Sequence, residues 1–268
     1  MREAQPPCAV FDLDGTLVDS APDIHAALDR LMAQKRLPGF ARAEVIGMIG
    51  DGVRVLLERA FAARNMALDE ASHAAFMADY EANAAVLTRA FDGIPELLGL
   101  LRGAGWRLAV CTNKPEGLAV ELVKRLGIAP LFGALIGADT LPTRKPDAAP
   151  YVASVTRAGG DVRRSMLIGD TETDRNTGLA VGVPVALVTF GPEGRAIERL
   201  QPEALLDHYD DLPALARRRA HAPGRRARHG RARPAPGLPR RPRGRPLPIP
   251  RAGRRRRANL REPPASEV

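Results

Sequence analysis

The chain has 268 residues, 45% of them hydrophobic, and a formal net charge of +9. That length allows one large or two modest domains with a real core, and two cysteines are too few for a disulfide framework. The charge is not spread through the chain: residues 221–268 carry 15 arginines against 2 glutamates, leaving the first 220 residues with 25 basic and 29 acidic groups. A fold-wide nucleic-acid surface is therefore excluded, and the basic character belongs to the tail.

Residues 1–7 lack the apolar stretch of a signal peptide. No apolar run approaches the roughly 20 residues that span a bilayer. Cys8 and Cys111 both fall in apolar runs and read as buried free thiols in a reducing compartment. The expectation is a soluble, cytoplasmic protein.

Ala9 to Phe11 reads as a strand buried on both faces. It ends in Asp12-Leu13-Asp14-Gly15-Thr16, two carboxylates one residue apart followed by a turn. Side chains alternate along a strand, so Asp12 and Asp14 can face one pocket at its carboxyl end. Two acids so close repel unless a cation lies between them, and a hard divalent ion such as Mg²⁺ suits oxygen ligands. A strand end capped by solvated acids is the alternative.

Asp19 to Arg36 reads as a helix with Asp19 or Ser20 as N-cap and Pro22 in its first turn. A second helix covers about 52–64, where Val53, Leu56, Leu57, Ala60 and Phe61 form one apolar stripe. A third covers about 70–88. Residues 19–90 thus hold helices and no clear strand, a helical insertion beside the paired acids.

An α/β alternation follows. Helices are expected over about 92–102, 116–126, from Asp147 to about 157, and 171–181. Strands are expected over 106–111, 134–137, 165–168 and, as the last one, 184–189. The pattern predicts a parallel sheet with right-handed crossovers and helices on both faces. Polar groups recur at the strand ends: Asp12 and Asp14, Thr112 and Asn113, Asp139, then Asp170. In open α/β sheets that edge binds ligands.

Thr112 and Asn113 open a helix and suit an anion, although a plain N-cap explains them as well. Lys145 precedes Pro146, which holds its backbone extended so that the ammonium can be aimed; a solvated loop lysine is the alternative. Asp170 and Asp174 lie four apart at a helix start, on one face, where acids also complement the helix dipole.

The ordered set DxDGT, TN, K-P and GDxxxD resembles the four motifs of the haloacid-dehalogenase superfamily of phosphatases, over about residues 8–212. FDLDGTLVDSAPDI, TNKPEGLA, GADTLPTRKPD and IGDTETD resemble its phosphoglycolate phosphatases most closely. The resemblance implies an α/β Rossmann-like core over 1–18 and 91–215 with a small α-helical cap over 19–90. It implies Asp12 as nucleophile forming an aspartyl-phosphate and Asp14 as the acid and base for the leaving group and water. Mg²⁺ would be held by the Asp12 side chain, the Asp14 backbone carbonyl and Asp170. Thr112, Lys145 and, assisting, Asn113 would hold the phosphoryl oxygens, with Asp174 orienting Lys145 or metal-bound water.

Asp14 separates this chain from haloacid dehalogenases, whose halide leaving group needs no proton. The substrate implied is a small phosphorylated metabolite, foremost 2-phosphoglycolate. The alternatives are another small-metabolite phosphatase, a sugar-phosphate mutase, or a nucleic-acid-binding protein working through its tail. Arg54, near Gly50-Asp51-Gly52, is the candidate for a substrate carboxylate, with a solvated helix residue as the alternative; His25 reads as a cap residue. A monomer or homodimer is expected. Residues 216–268, rich in Arg and Pro, are expected to be disordered, with the residue set of an altered reading frame through GC-rich DNA.

Overall fold

The computed structural model describes residues 5–220. Strand β1, Cys8–Phe11, is buried at all four positions, as its uninterrupted apolar sequence requires. Its residues alternate between two apolar clusters. Ala9 and Phe11 join one, with Leu98 and Leu101 of α5 (Ile94–Gly103) and Leu122 of α6 (Glu116–Arg125). Cys8 and Val10 join the other, with Tyr151 and Val155 of α7 (Ala148–Arg157). Covering both faces is what a parallel sheet needs, since its strands have no solvated side.

Five further strands complete the sheet: β4 (Arg107–Cys111), β5 (Ala134–Ile136), β6 (Ser165–Gly169), β7 (Val185–Val188) and β8 (Ala204–Leu206). The order is β5-β4-β1-β6-β7-β8 and every pairing is parallel. Val10 lies opposite Ala109 on one side and Leu167 on the other. With β1 between β4 and β6, the three strand ends bearing Asp12, Thr112 and Asp170 are neighbours. The chain leaves β1 toward β4 and returns to β1's other edge with β6, which opens the crevice where α/β sheets take ligands.

Between β1 and α5 the chain builds α1 (Ala21–Gln34), α2 (Arg42–Ile46), α3 (Val53–Ala62) and α4 (Glu70–Asn83). These helices have an apolar cluster of their own, including Leu28, Met32, Leu57, Phe61, Phe76 and Tyr80. The helix expected over 70–88 stops at Asn83. The segment also carries strands that its sequence conceals. β2 (Val18–Asp19) and β3 (Arg89–Ala90) pair antiparallel where the chain leaves and rejoins the sheet. Asp23, buried in α1, fastens this crossing by accepting from the Leu87 and Thr88 amides at 2.9 and 2.8 Å and from the Thr88 hydroxyl at 2.7 Å.

Two further differences lie near the C-terminus. Among the described residues the last strand is β8, not β7, and α9 (Leu212–Ala220) carries helix into residues 216–220, which composition assigns to the tail. Residues 221–268 of that tail lie outside the described residues. Among the described residues no helix is long and apolar enough to cross a membrane.

Candidate active site

The turn after β1 sets the site. Gly15 has φ +80°, open to glycine and strained for other residues, and a Cβ there would come within 2.2 Å of Asp170 Oδ2. The turn can therefore press against the end of β6 only without a side chain. Thr16 donates its hydroxyl to Asp170 Oδ1 at 2.7 Å, and Tyr209 donates to the Thr16 carbonyl at 2.5 Å.

Asp12, Asp170 and Asp174 converge, offering carboxylate oxygens within 4.8 Å of one another, all buried. Their surroundings differ. Asp12 Oδ1 accepts from the Leu13 amide at 2.7 Å and pairs with Lys145 Nζ at 3.0 Å. Asp174 is fully engaged: Oδ1 takes Lys145 Nζ at 2.6 Å, and Oδ2 takes the Asp170 and Thr171 amides and the Thr171 hydroxyl. Asp170 Oδ2 is buried with no partner among the described residues. An orphaned carboxylate oxygen beside a second carboxylate costs about 1–3 kcal/mol or more, and a divalent cation resolves that cost. The donor set, oxygen only, fits Mg²⁺. Asp12 and Asp170 could hold it, while Asp174's oxygens are already taken by hydrogen bonds.

The electrostatics agree with this division. Burial, opposed by Lys145 and reinforced by Asp174, pushes the Asp12 carboxyl up to about 6. Burial, with the charges of Asp12 and Asp174, pushes Asp170 well above the usual carboxylate range. For Lys145, burial works against the charge, but Asp12 and Asp174 outweigh it and hold the ammonium above the ordinary lysine range. The Lys145–Pro146 peptide is cis.

Asp14 sits apart from the acidic cluster. Its Oδ1 accepts from the Ser20 hydroxyl at 2.6 Å and from Lys114 Nζ at 3.1 Å. Ser20 is the N-cap of α1, yet its backbone is helical, with φ −95° and ψ −5°, and its side chain makes no cap; the hydroxyl donates to Asp14. Thr112 accepts from the Lys114 amide at 3.2 Å, which leaves its own O–H to donate. Asn113 differs from expectation: its amide nitrogen donates to the Lys145 carbonyl at 3.2 Å and to the Gly50 carbonyl at 3.4 Å. Its side chain ties the lysine loop and the cap together, with both amide hydrogens committed to carbonyls. Asp139 caps α6 through the Glu116 amide at 2.7 Å.

The cap closes over these residues. Asp51 accepts from the Thr173 hydroxyl at 2.7 Å, and the pocket between cap and sheet is bounded by Asp12, Asp14, Thr112 and Lys114 below and by Val53, Phe76 and Tyr80 above.

Arg54 is a correction. It does not line that pocket. It is exposed and makes a bidentate pair with Glu70, both bonds 2.9 Å, on the outer side of the cap. Exposed pairs of this kind contribute little. Arg54→Ala is expected to leave kcat/KM within about twofold of wild type in a steady-state assay, as for surface changes away from a site. His25 bonds the Phe40 carbonyl at 2.7 Å and is a cap residue as expected. Burial pushes both thiols, Cys8 and Cys111, up to about 12, which removes them as nucleophiles.

The residue that sequence reasoning missed is Lys114. It is buried, and it joins Asp14 to Tyr80 of α4, whose hydroxyl is 2.6 Å from Nζ. The only local signal is an ammonium one residue beyond Thr-Asn at a strand end.

Known proteins carry the same sequence pattern and fold. Residues 9–188 match the family model of the haloacid dehalogenase-like hydrolases. A phosphoglycolate phosphatase of Cereibacter sphaeroides strain ATCC 17029 is 44% identical over 216 residues, covering 79% of this chain and 98% of the relative. One from Mesorhizobium japonicum is 38% identical over 223 residues, covering 81% and 98%. The crystal structure of a predicted phosphoglycolate phosphatase from Haemophilus somnus 129PT superposes with a TM-score of 0.72 at 28% identity, covering 78% of this chain and 97% of that one. The chain belongs to the haloacid dehalogenase-like hydrolase family and is one of its phosphatases.

Proposed function

We propose that the protein is a Mg²⁺-dependent phosphomonoester hydrolase whose substrate is 2-phosphoglycolate. The observation that carries the reading is Lys145, fixed between Asp12 and Asp174 at 3.0 and 2.6 Å, beside the partnerless oxygen of Asp170. An ammonium, a nucleophilic carboxylate and a carboxylate oxygen suited to a metal meet where three strand ends converge.

Asp12 Oδ1 is held by Leu13 and Lys145, while Oδ2 accepts no hydrogen bond among the described residues and belongs to the pocket wall. Oδ2 is the oxygen to attack phosphorus, giving an aspartyl-phosphate. Lys145 and the Thr112 hydroxyl hold phosphoryl oxygens as charge develops on them. Asp14, on the other side of the turn, gives a proton to the leaving alkoxide and then takes one from the attacking water. Asp174 keeps Lys145 aimed. Bound Mg²⁺ supplies the positive charge that lets one anion approach another.

Above the acids the lining is mostly apolar, with Ile24, Ile49, Val53 and Leu56, and its polar groups on that side are Tyr80 and Lys114, which leaves the hydroxyls of a hexose few partners. The cap's separate apolar cluster and the β2–β3 crossing support a core over 1–18 and 91–215 with a cap over 19–90. The two buried free thiols support a reducing, cytoplasmic compartment.

The test is a panel of phosphorylated metabolites assayed with Mg²⁺ and with chelator. The highest kcat/KM is expected for 2-phosphoglycolate, with activity lost in chelator and restored by Mg²⁺. A higher value for a sugar phosphate, or metal-independent turnover, would reject the reading.

A further inference from the structure

A two-carbon phosphoglycolate presents two anions, and Lys145, Thr112 and the acidic cluster meet only the phosphoryl one. The cap side of the pocket is carbon: Ile24, Ile49, Val53, Leu56 and Phe76. From that side only Tyr80 contributes a hydroxyl, and the single cation among the lining residues is Lys114.

Lys114 is 4% exposed, and its ammonium is placed by three contacts. Asp14 Oδ1 and Oδ2 lie at 3.1 and 3.2 Å, the Tyr80 hydroxyl at 2.6 Å, and the Tyr80 ring centroid at 4.7 Å. Tyr80 comes from cap helix α4 and Lys114 from the end of β4, so this contact bridges cap and core directly above the acid–base residue. A buried charge keeps such a place only with a partner of opposite sign.

Geometry brings the second anion to this ammonium. Asp14 must reach the ester oxygen that leaves phosphorus. In 2-phosphoglycolate a single methylene separates that oxygen from the carboxylate. A cation already touching Asp14 is therefore in reach of the substrate carboxylate, and the apolar roof offers that carboxylate no other charge.

We infer that Lys114 binds the carboxylate of the substrate, exchanging one carboxylate partner for another, with Tyr80 aiming it from the cap; this rests on the reading of the site as a phosphoglycolate phosphatase. The exchange frees Asp14 from its ion pair only when a carboxylate-bearing ester fills the pocket. Lys114 thereby selects phosphomonoesters with a carboxylate on the carbon next to the ester oxygen. A neutral ester of equal size leaves the ammonium on Asp14 and the pocket short of one ion pair.

The experiment compares kcat/KM for 2-phosphoglycolate with that for 2-hydroxyethyl phosphate, which carries a hydroxymethyl group in place of the carboxylate. Full-length wild type, Lys114→Met and Tyr80→Phe are assayed with Mg²⁺, and folding is checked by thermal melting. Wild type is expected to favour the carboxylate substrate. Lys114→Met should shrink that preference by at least about 30-fold, mainly through KM, the size expected when one partner of a buried charge pair is removed. Tyr80→Phe should shrink it by at least about tenfold, again through KM, the scale of a lost hydrogen bond to a charged group; loss of fold alone would lower both substrates together. If Lys114→Met does not fold, Tyr80→Phe decides.

A preference for the carboxylate substrate that survives in the variants would overturn the inference and leave the phosphoglycolate reading standing. The same holds for an equal loss on both substrates. A wild type that instead prefers a different ester with its carboxylate on the same carbon, such as 2-phosphoglycerate, with a preference that depends on Lys114, would overturn only the phosphoglycolate reading. Wild type indifferent to the carboxylate in every ester tried would overturn the role of Lys114.

Discussion

Asp12→Asn is expected to abolish turnover, by at least about 10⁴-fold in kcat, as removal of a covalent nucleophile does in enzymes that act through one. An amide matches the carboxylate in shape, so the β1 turn is retained. The substituted side chain would still present an oxygen to the Leu13 amide, which bonds Asp12 Oδ1 at 2.7 Å. Lys145 would keep Asp174, 2.6 Å away, as counter-charge. Burial already holds the Asp12 carboxyl high, so a neutral group in its place relieves desolvation. The metal-free variant should melt no lower than metal-free wild type. Trapping with a phosphate ester radiolabelled at phosphorus should show label on the wild-type chain and none on the variant. Substantial residual kcat in the purified, folded variant would remove Asp12 from the nucleophile role.

Much of this site is legible in the sequence because its residues stand at strand ends. A strand end is a strong signal: an apolar run stops, a glycine or threonine follows, and the polar residue there faces the ligand edge of the sheet. Asp12, Thr112 and Asp170 all carry that signal, and the strand order brings them together. Lys114 carries only a faint one, an ammonium just past Thr-Asn, because its meaning comes from Tyr80, 34 residues earlier in the chain and on a cap helix. Arg54 was readable as an outer residue. It falls outside the stripe of Val53, Leu56, Leu57, Ala60 and Phe61, and the helix turns it toward Glu70. The strands β2, β3 and β8 have two or three residues each, too few for a period-two pattern, and they form because their partners are already in place. Asn113 shows a further limit: a side chain that suits an anion on paper is committed here to two backbone carbonyls of other segments.

The cost of assembling buried acids should appear as a pH dependence of stability, and Asp170 is where it concentrates. Asp12 and Asp170 both have folded-state carboxyls raised above their unfolded values, chiefly by burial. A raised acid binds its proton more tightly in the folded chain. Its contribution to stability is full below the unfolded value, near 4, and is lost as pH rises through the folded one. For Asp12 that window ends at about 6; for Asp170 it extends higher. In chelator, the melting temperature is therefore expected to fall between pH 5 and pH 7.5, apart from other groups that titrate there. Mg²⁺ binds the ionised, folded cluster and should restore what is lost, by about 2.7 kcal/mol at a hundredfold excess over its dissociation constant. The rise in melting temperature on adding Mg²⁺ should thus be larger at pH 7.5 than at pH 5. Asp170→Asn removes one of the repelling charges and the orphaned anionic oxygen while keeping an oxygen for Thr16, which donates to Oδ1 at 2.7 Å. This variant should lose at least about 10³-fold in kcat/KM, the scale of losing electrostatic stabilisation at a transferring phosphoryl group. In chelator at pH 7.5 it should melt above wild type, with a flatter pH profile and little response to Mg²⁺. A variant that melts below wild type in chelator, yet still gains stability from Mg²⁺ as wild type does, would show that Asp170 is a structural acid and that the metal is held elsewhere.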